Sequence, residues 1–230
     1  MTMGWDPWEP YQYQVSDEEV VGLDVEILTA VLEHAGCGIA FRKGQWTELL
    51  DQVRNGEINV VAGATLTPGR EEFAWFTDEY RDEEFYLYVT ASRLDTLGGQ
   101  DFDSMMDAGL RIGVIEGYLY GEPVSDAQND PAHENQFVYA PMSEVNVSRL
   151  VEGEIDGFID DKYVGAAVIR RKNLSTEIAA HPQHFGRAGV RFMLSRASVS
   201  QAQYEAINEA VEALLASGKI QEILDQYLDQ

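Results

Sequence analysis

Two short stretches of the chain repeat one another, and together they constrain its fold class. Gly56-Glu57-Ile58-Asn59-Val60-Val61-Ala62-Gly63 and Gly153-Glu154-Ile155-Asp156-Gly157-Phe158-Ile159-Asp160-Asp161 stand about a hundred residues apart. Each follows a stretch with apolar residues at helical spacing, turns at Gly-Glu, and runs into a short apolar segment that ends in small or acidic residues. The pattern is a helix, a tight turn and a buried strand, used twice. Buried strands that alternate with helices build parallel sheets. Such sheets bind ligands just beyond the carboxyl ends of their strands. The residues to examine are therefore Thr65-Leu66-Thr67-Pro68-Gly69-Arg70 after the first repeat, and Asp160 and Asp161 at the end of the second. One cationic end and one anionic end match a zwitterion such as an amino acid.

The rest of the chain extends the pattern. Leu23, Ile27, Leu28, Val31, Leu32 and Ala35 recur at helical spacing with Gly36 as a stop, 39–41 reads as a strand, and Trp46 to Val53 as a second helix. Residues 85–90 have high strand propensity. The pattern then restarts, with a helix over 102–108, a strand over 111–115, a loop over 117–121, and a polar, exposed stretch over 125–134. A helix over 145–151, the second repeat, a helix over 162–171 and a strand over 189–194 follow. His181-Pro182-Gln183-His184 falls in a loop. The chain closes with a helix over 201–216, whose Tyr204, Ile207, Val211, Leu214 and Leu215 share one face and which Ser217-Gly218 caps, and a last short helix over 220–228. Two α/β lobes of similar size imply a cleft between them, and such clefts are preferred ligand sites.

Charge removes several function classes. Sixteen Lys and Arg against forty Asp and Glu give a net charge of −24, dispersed along the chain. Such a surface repels nucleic acid and anionic membranes. Cys37 is the sole cysteine, so an intramolecular disulfide is impossible; it reads as a packed thiol at a helix end. No apolar run approaches the roughly eighteen residues of a membrane span. The four histidines are not spaced as metal ligands, and the sequence has no nucleophile elbow, zinc-protease, P-loop or dinucleotide motif. No cofactor, metal or catalytic residue is expected, and the chain reads as a monomer.

Three constellations remain. Trp5, Trp8, Tyr11 and Tyr13 crowd a Pro-broken opening loop, which forms either a plug over the domain's end or an aromatic wall for a ligand. Arg70 lies near a helix start beside Thr65 and Thr67. Its guanidinium suits a carboxylate, which it can meet with two parallel hydrogen bonds; a surface pair with Glu71 or Glu72 is the alternative. Asp160 and Asp161 end an apolar strand, where a carboxylate is costly unless paired. A ligand ammonium, or else Lys162 or Arg170, would serve. Adjacent strand residues face opposite sides, so one of the two Asp side chains would face a cleft.

Taken in order, several of these pieces resemble the bacterial extracellular solute-binding proteins of family 3, the periplasmic amino-acid-binding type. The carrying residues are Gly22-Leu23-Asp24-Val25-Glu26-Ile27, Trp46-Thr47-Glu48-Leu49-Leu50, the run from Gly56 to Arg70, Phe76-Thr77-Asp78-Glu79-Tyr80, Gly113-Val114-Ile115-Glu116-Gly117, the second repeat, and Ser217 to Leu224. The resemblance implies a two-lobed α/β clamp, each lobe a mostly parallel sheet flanked by helices, with two crossover strands as hinge. Lobe 1 would be 1–88 plus 189–230, and lobe 2 would be 89–188. It implies that Arg70 grips a ligand carboxylate assisted by Gly63 and Thr65, that Asp161 takes the ammonium, and that Trp8 and Trp46 sandwich the side chain, with Tyr11 beside them. It further implies a periplasmic or extracellular location, with the leader absent from this sequence, and uptake through an ABC transporter permease. Related readings on the same fold are a receptor's sensor domain and a dehydratase-like enzyme using Glu116 or Asp160. The sequence departs from the family where a small anion cradle is usual: Glu116 and Tyr118 stand there instead. Asn59 replaces the usual Asp of the first repeat and reads as structural.

Overall fold

The computed structural model of the protein describes residues 1–16 and 19–228. The chain divides into two compact units, Met1–Asp82 with Gly189–Gln230, and Glu83–Ala188. Residues 83–88, assigned to the first lobe by sequence, lie in the second unit.

Unit 1 begins with β1 (Thr2–Trp5), a hairpin of β2 (Tyr13–Ser16) and β3 (Glu19–Val21), α1 (Leu23–His34), β4 (Ala40–Lys43), α2 (Trp46–Asn55), β5 (Val60–Ala64), α3 (Pro68–Glu71) and β6 (Ala74–Phe76). The next strand, β7 (Arg81–Thr90), carries the chain into unit 2. That unit holds α4 (Ala91–Leu97), α5 (Phe102–Asp107), β8 (Ile112–Ile115), α6 (Val124–Asn129), β9 (Phe137–Ala140), α7 (Ser143–Glu152), β10 (Gly157–Asp161) and α8 (Lys162–Arg171). An eighteen-residue strand, β11 (Ile178–Ser195), returns the chain to unit 1, which ends in α9 (Gln201–Ala216) and α10 (Lys219–Leu228). Each unit has a mostly parallel sheet. In unit 1 the order is β4-β1-β5-β11, with β11 antiparallel to β5 and to β6. In unit 2 the order is β7-β10-β8-β9, with β7 antiparallel to β10.

The two sequence repeats are the same structural device. α2 and α7 both end on a left-handed glycine, Gly56 at φ 77° and Gly153 at φ 76°, a conformation that costs a side-chain-bearing residue but not glycine. Ile58 and Ile155 then enter the core. Asn59 accepts the Thr2 N–H at 2.7 Å and Asp156 accepts the Arg111 N–H at 2.8 Å, so each ties down the start of the neighbouring strand. Asn59 is thus structural. On the neighbouring strands, Gly4 of β1 and Gly113 of β8 leave room for those isoleucines: a Cβ there would lie 2.3 Å from Ile58 Cδ1 and 2.7 Å from Ile155 Cδ1.

α1 buries Leu23, Ile27, Leu28, Val31 and Leu32, as its spacing predicts. α9 starts with Ser200 and Gln203 exchanging hydrogen bonds in a capping box. The unit 2 core gathers Phe85, Leu87, Phe102, Met105, Val114 and Ile159.

Four expectations need correction. Residues 181–184 lie inside β11 rather than a loop, because His181 is buried and its Nε2 pairs with the Leu97 carbonyl at 2.8 Å. The polar stretch 125–134 is not uniformly exposed: within it Ala127 of α6 is buried. Leu215 faces solvent at 40 % exposure, since it lies off the Ile207–Val211 stripe. Cys37 is only half-buried, with its Sγ 3.8 Å from the Ala35 carbonyl, and is not a core thiol.

Candidate functional site

In unit 1 the residues singled out from sequence follow the carboxyl ends of three adjacent parallel strands. Trp8 and Tyr11 follow β1, Trp46 opens α2 after β4, and Gly63 and Thr65 stand at and just beyond the end of β5. They form two groups. Arg70 belongs to α3, where the Thr67 hydroxyl accepts the Arg70 N–H and Pro68 occupies the first turn. Its Nη1 donates to the Thr65 carbonyl at 2.9 Å, and its guanidinium lies 5.5 Å from the Trp46 ring centre. These contacts hold the guanidinium over the end of β5.

The second group centres on Trp8, Tyr11 and Gly63. The two rings are tilted and 4.6 Å apart. The Gly63 N–H donates to the Tyr80 hydroxyl at 2.9 Å, so it serves the fold. A Cβ at Gly63 would meet the Trp8 ring at 2.8 Å, so glycine is what lets that ring approach β5. Tyr80 in turn stacks on Phe192 at 4.1 Å.

Beneath these rings is a charged pair that the sequence reading missed. Arg81 Nε donates to Asp24 Oδ1 at 2.7 Å and Nη2 donates to Oδ2 at 2.8 Å. Both side chains are buried. Burial works against the Arg81 charge, but the adjoining Asp24 carboxylate more than offsets it and holds the guanidinium firmly charged. Burial, followed by the Asp24 charge, also raises the Tyr80 hydroxyl well above its ordinary range.

Unit 2 repeats the placement: Glu116 and Tyr118 follow β8, and Asp161 ends β10, its parallel neighbour. Asp161 caps α8, its Oδ1 accepting the N–H groups of Tyr163 at 2.9 Å and Val164 at 3.2 Å. Glu116 is exposed, and its N–H donates to the Ala140 carbonyl. Tyr118 is half-buried against the unit's core and lies 6.3 Å from Tyr120. Tyr120 was not anticipated. It is buried, and its hydroxyl accepts the Ile115 N–H at 2.7 Å, which braces the loop after β8 from below.

Asp160 is the anomalous carboxyl. It has no exposed surface; its Oδ1 accepts the Asp161 N–H at 2.9 Å, and Ser143 of α7 also bonds to it. Among the described residues its Oδ2 has no hydrogen-bond partner. Burial, reinforced by the neighbouring Asp161 charge, pushes its pKa up to about 8, so at neutral pH it is mostly protonated. The expected pairing with Lys162 or Arg170 is therefore unnecessary for Asp160: a neutral acid needs no counter-ion.

Among the described residues, no group of three or more His, Cys, Asp or Glu side chains could hold a metal. No helix there is long and apolar enough to cross a membrane.

Comparison with known proteins places these features in a family. The chain is 23 % identical over 234 residues to the ABC transporter arginine-binding protein 1 of Escherichia coli (strain K12), covering 97 % of this chain and 88 % of that protein. It is 24 % identical to a probable histidine-binding protein of Neisseria gonorrhoeae, covering 95 % and 78 %. Among solved structures, a histidine kinase sensor domain with similarity to periplasmic binding proteins superposes with a TM-score of 0.84 at 17 % identity, covering 99 % of this chain and 94 % of that one. The arginine-, lysine-, histidine-binding protein ArtJ of Geobacillus stearothermophilus gives 0.78 at 21 %, covering 100 % and 95 %. At these identities the structural likeness establishes the fold, which is that of the periplasmic binding proteins. The model of the bacterial extracellular solute-binding proteins, family 3, matches residues 1–230, and the chain belongs to that family.

Proposed function

We propose that the protein captures a small amino-acid-like solute outside the cytoplasm and passes it to an ABC transporter. Arg70, with Thr65, grips the ligand carboxylate; Asp161 takes its ammonium; and Trp8, Tyr11 and Trp46 line its side chain, with Glu116 and Tyr118 completing the unit 2 side. Binding works by differential affinity: the ligand favours whichever state of the protein offers it the most contacts. No covalent chemistry is required.

One observation carries this reading. In both units the nominated side chains follow the carboxyl ends of adjacent parallel strands, the position at which open α/β sheets bind ligands. Two further features support it. Arg70 is oriented by the Thr65 carbonyl and Trp46, and Asp161 is fixed by the two amides it caps. A preset charge loses less freedom on binding than a mobile one. The relatives' names, arginine-binding and histidine-binding, agree with an amino-acid ligand.

The test starts with a thermal-shift screen over amino acids, polyamines, organic acids and small peptides, followed by calorimetry on the hit. Truncating a hydrogen-bonded charge partner costs about 2–5 kcal/mol, so Arg70→Ala is expected to weaken binding at least roughly thirtyfold. Unchanged affinity in that variant would remove the carboxylate assignment.

A further inference from the structure

The ion pair of unit 1 stands where the proposed ligand side chain would be recognised, yet none of the proposed ligand contacts uses it. The Arg81 guanidinium lies 3.8 Å from the centre of the Tyr11 ring, 5.4 Å from that of Trp8 and 5.7 Å from that of Tyr80. Its two bonds to Asp24 engage both carboxylate oxygens. On the side of β5, Nη2 comes within 3.3 Å of where a side chain on Gly63 would begin. A forked carboxylate with aromatic faces around it is the environment that best accommodates a guanidinium. Here the guanidinium that fills it belongs to the chain.

Stability alone is a weak reason for such a pair. Taking two charges out of water costs so much that a buried ion pair is often matched by apolar residues of similar size. Its place beside Trp8, Tyr11 and Gly63 gives it a second consequence.

We propose that Arg81 permanently fills the cation slot formed by Asp24, Tyr11 and Trp8, so that this half-site rejects ligands with cationic side chains and accepts those with uncharged or carboxylate side chains. The proposal rests on the reading above that the ligand side chain lies against Trp8 and Tyr11. An incoming ammonium or guanidinium would find the carboxylate already engaged and a like charge at close range in a site of low polarity. An amide, aliphatic or carboxylate side chain meets no such opposition. The selectivity thus departs from the ligands in the names of the arginine- and histidine-binding relatives.

Two measurements decide it. The first is calorimetry of the unaltered protein with L-arginine and L-lysine against L-glutamine, L-glutamate and L-leucine. At least one of the latter three is expected to bind tenfold or more tightly than either cationic amino acid. Arginine or lysine binding within tenfold of the best ligand, or more tightly, overturns the proposal. Silence across the whole panel would count against the amino-acid reading instead, and the slot would then be judged by the second measurement alone. That measurement follows thermal unfolding of Arg81→Ala with millimolar methylguanidinium. The emptied slot should take up the small cation, raising the variant's Tm by a few degrees while leaving the unaltered protein unmoved. Asp24→Asn combined with Arg81→Ala should lose the response. Equal responses in Arg81→Ala and the unaltered protein overturn the slot. If Arg81→Ala folds only when methylguanidinium is present, the slot is supported; if it stays unfolded even then, the slot is overturned.

Discussion

Asp160 shows how one side chain can set a pH dependence. Its folded pKa of about 8 lies above its ordinary value of 3.8. Between those values the unfolded chain binds fewer protons at this position than the folded protein. Its contribution to stability therefore falls as pH rises from about 4 to about 8, and levels off above. Asp160→Asn mimics the neutral acid and should remove that slope. Relative to the unaltered protein it is expected to gain stability of the order of a few kcal/mol at pH 8 and almost none at pH 4, at about 1.4 kcal/mol per pKa unit. Urea unfolding of both proteins across that range checks it, and parallel pH profiles would refute it. Asp24→Asn tests the opposite kind of carboxyl. It leaves Arg81 buried without its counter-charge and should cost about 3–5 kcal/mol. At this scale the sequence was partly legible. Arg70 and Asp161 could be nominated because one follows a strand and the other ends one. Arg81 and Glu83 were overlooked, although they share parity with Phe85, Leu87 and Val89 on β7, whose alternation turns those positions inward. Asp24 hid in the same way, between Leu23 and Val25 in a helix start that buries all three. Pattern reading assigns such positions to apolar residues, and a charge there is recognisable only once its distant partner is known.

Among the elements, the helix–glycine–strand device was the most legible, because its signals are local: helical spacing, a glycine stop and an apolar run. Its internal consistency can be tested. Gly56→Ala and Gly153→Ala each force a side chain into left-handed backbone and should cost about 1–2 kcal/mol. The corresponding Asn variants should cost less, since Asn tolerates that conformation. Gly4→Ala should destabilise by about 1–3 kcal/mol through overpacking, because its methyl would meet Ile58 Cδ1 at 2.3 Å. Combining it with Ile58→Val, which deletes that atom, should recover part of the loss. A double-mutant cycle with no coupling would show that the two do not compete for the same space. Less legible were α6 and the full length of β11. α6 is short, and only Val124 and Ala127 among its six residues are buried. β11 includes His181-Pro182-Gln183-His184, whose polarity suggests a loop; the strand is set there by tertiary bonds such as that from His181 to Leu97.

For the molecule as a whole, charge and chain order matter most. A net charge of −24 on 230 residues opposes compaction by self-repulsion. The melting temperature should therefore rise between ~10 mM and ~0.5 M sodium chloride, as the screening length shrinks from about 30 Å to a few Å. A flat salt response would mean that the surface charges are too far apart to repel. Chain order has a different consequence. Unit 2 is one unbroken segment, Glu83–Ala188, whereas unit 1 is assembled from both ends of the chain. β5 gains its β11 neighbour from Arg191, Met193 and Leu194, and α1 packs against α9 and α10. Translation runs from the amino to the carboxyl end, and domains tend to fold as units as they emerge. The second unit thus has all its residues in hand while the first still waits for its closing strand and helices. The first-made part of this fold is the last to be completed, and a chaperone that guards it would have to hold on until β11, α9 and α10 have emerged.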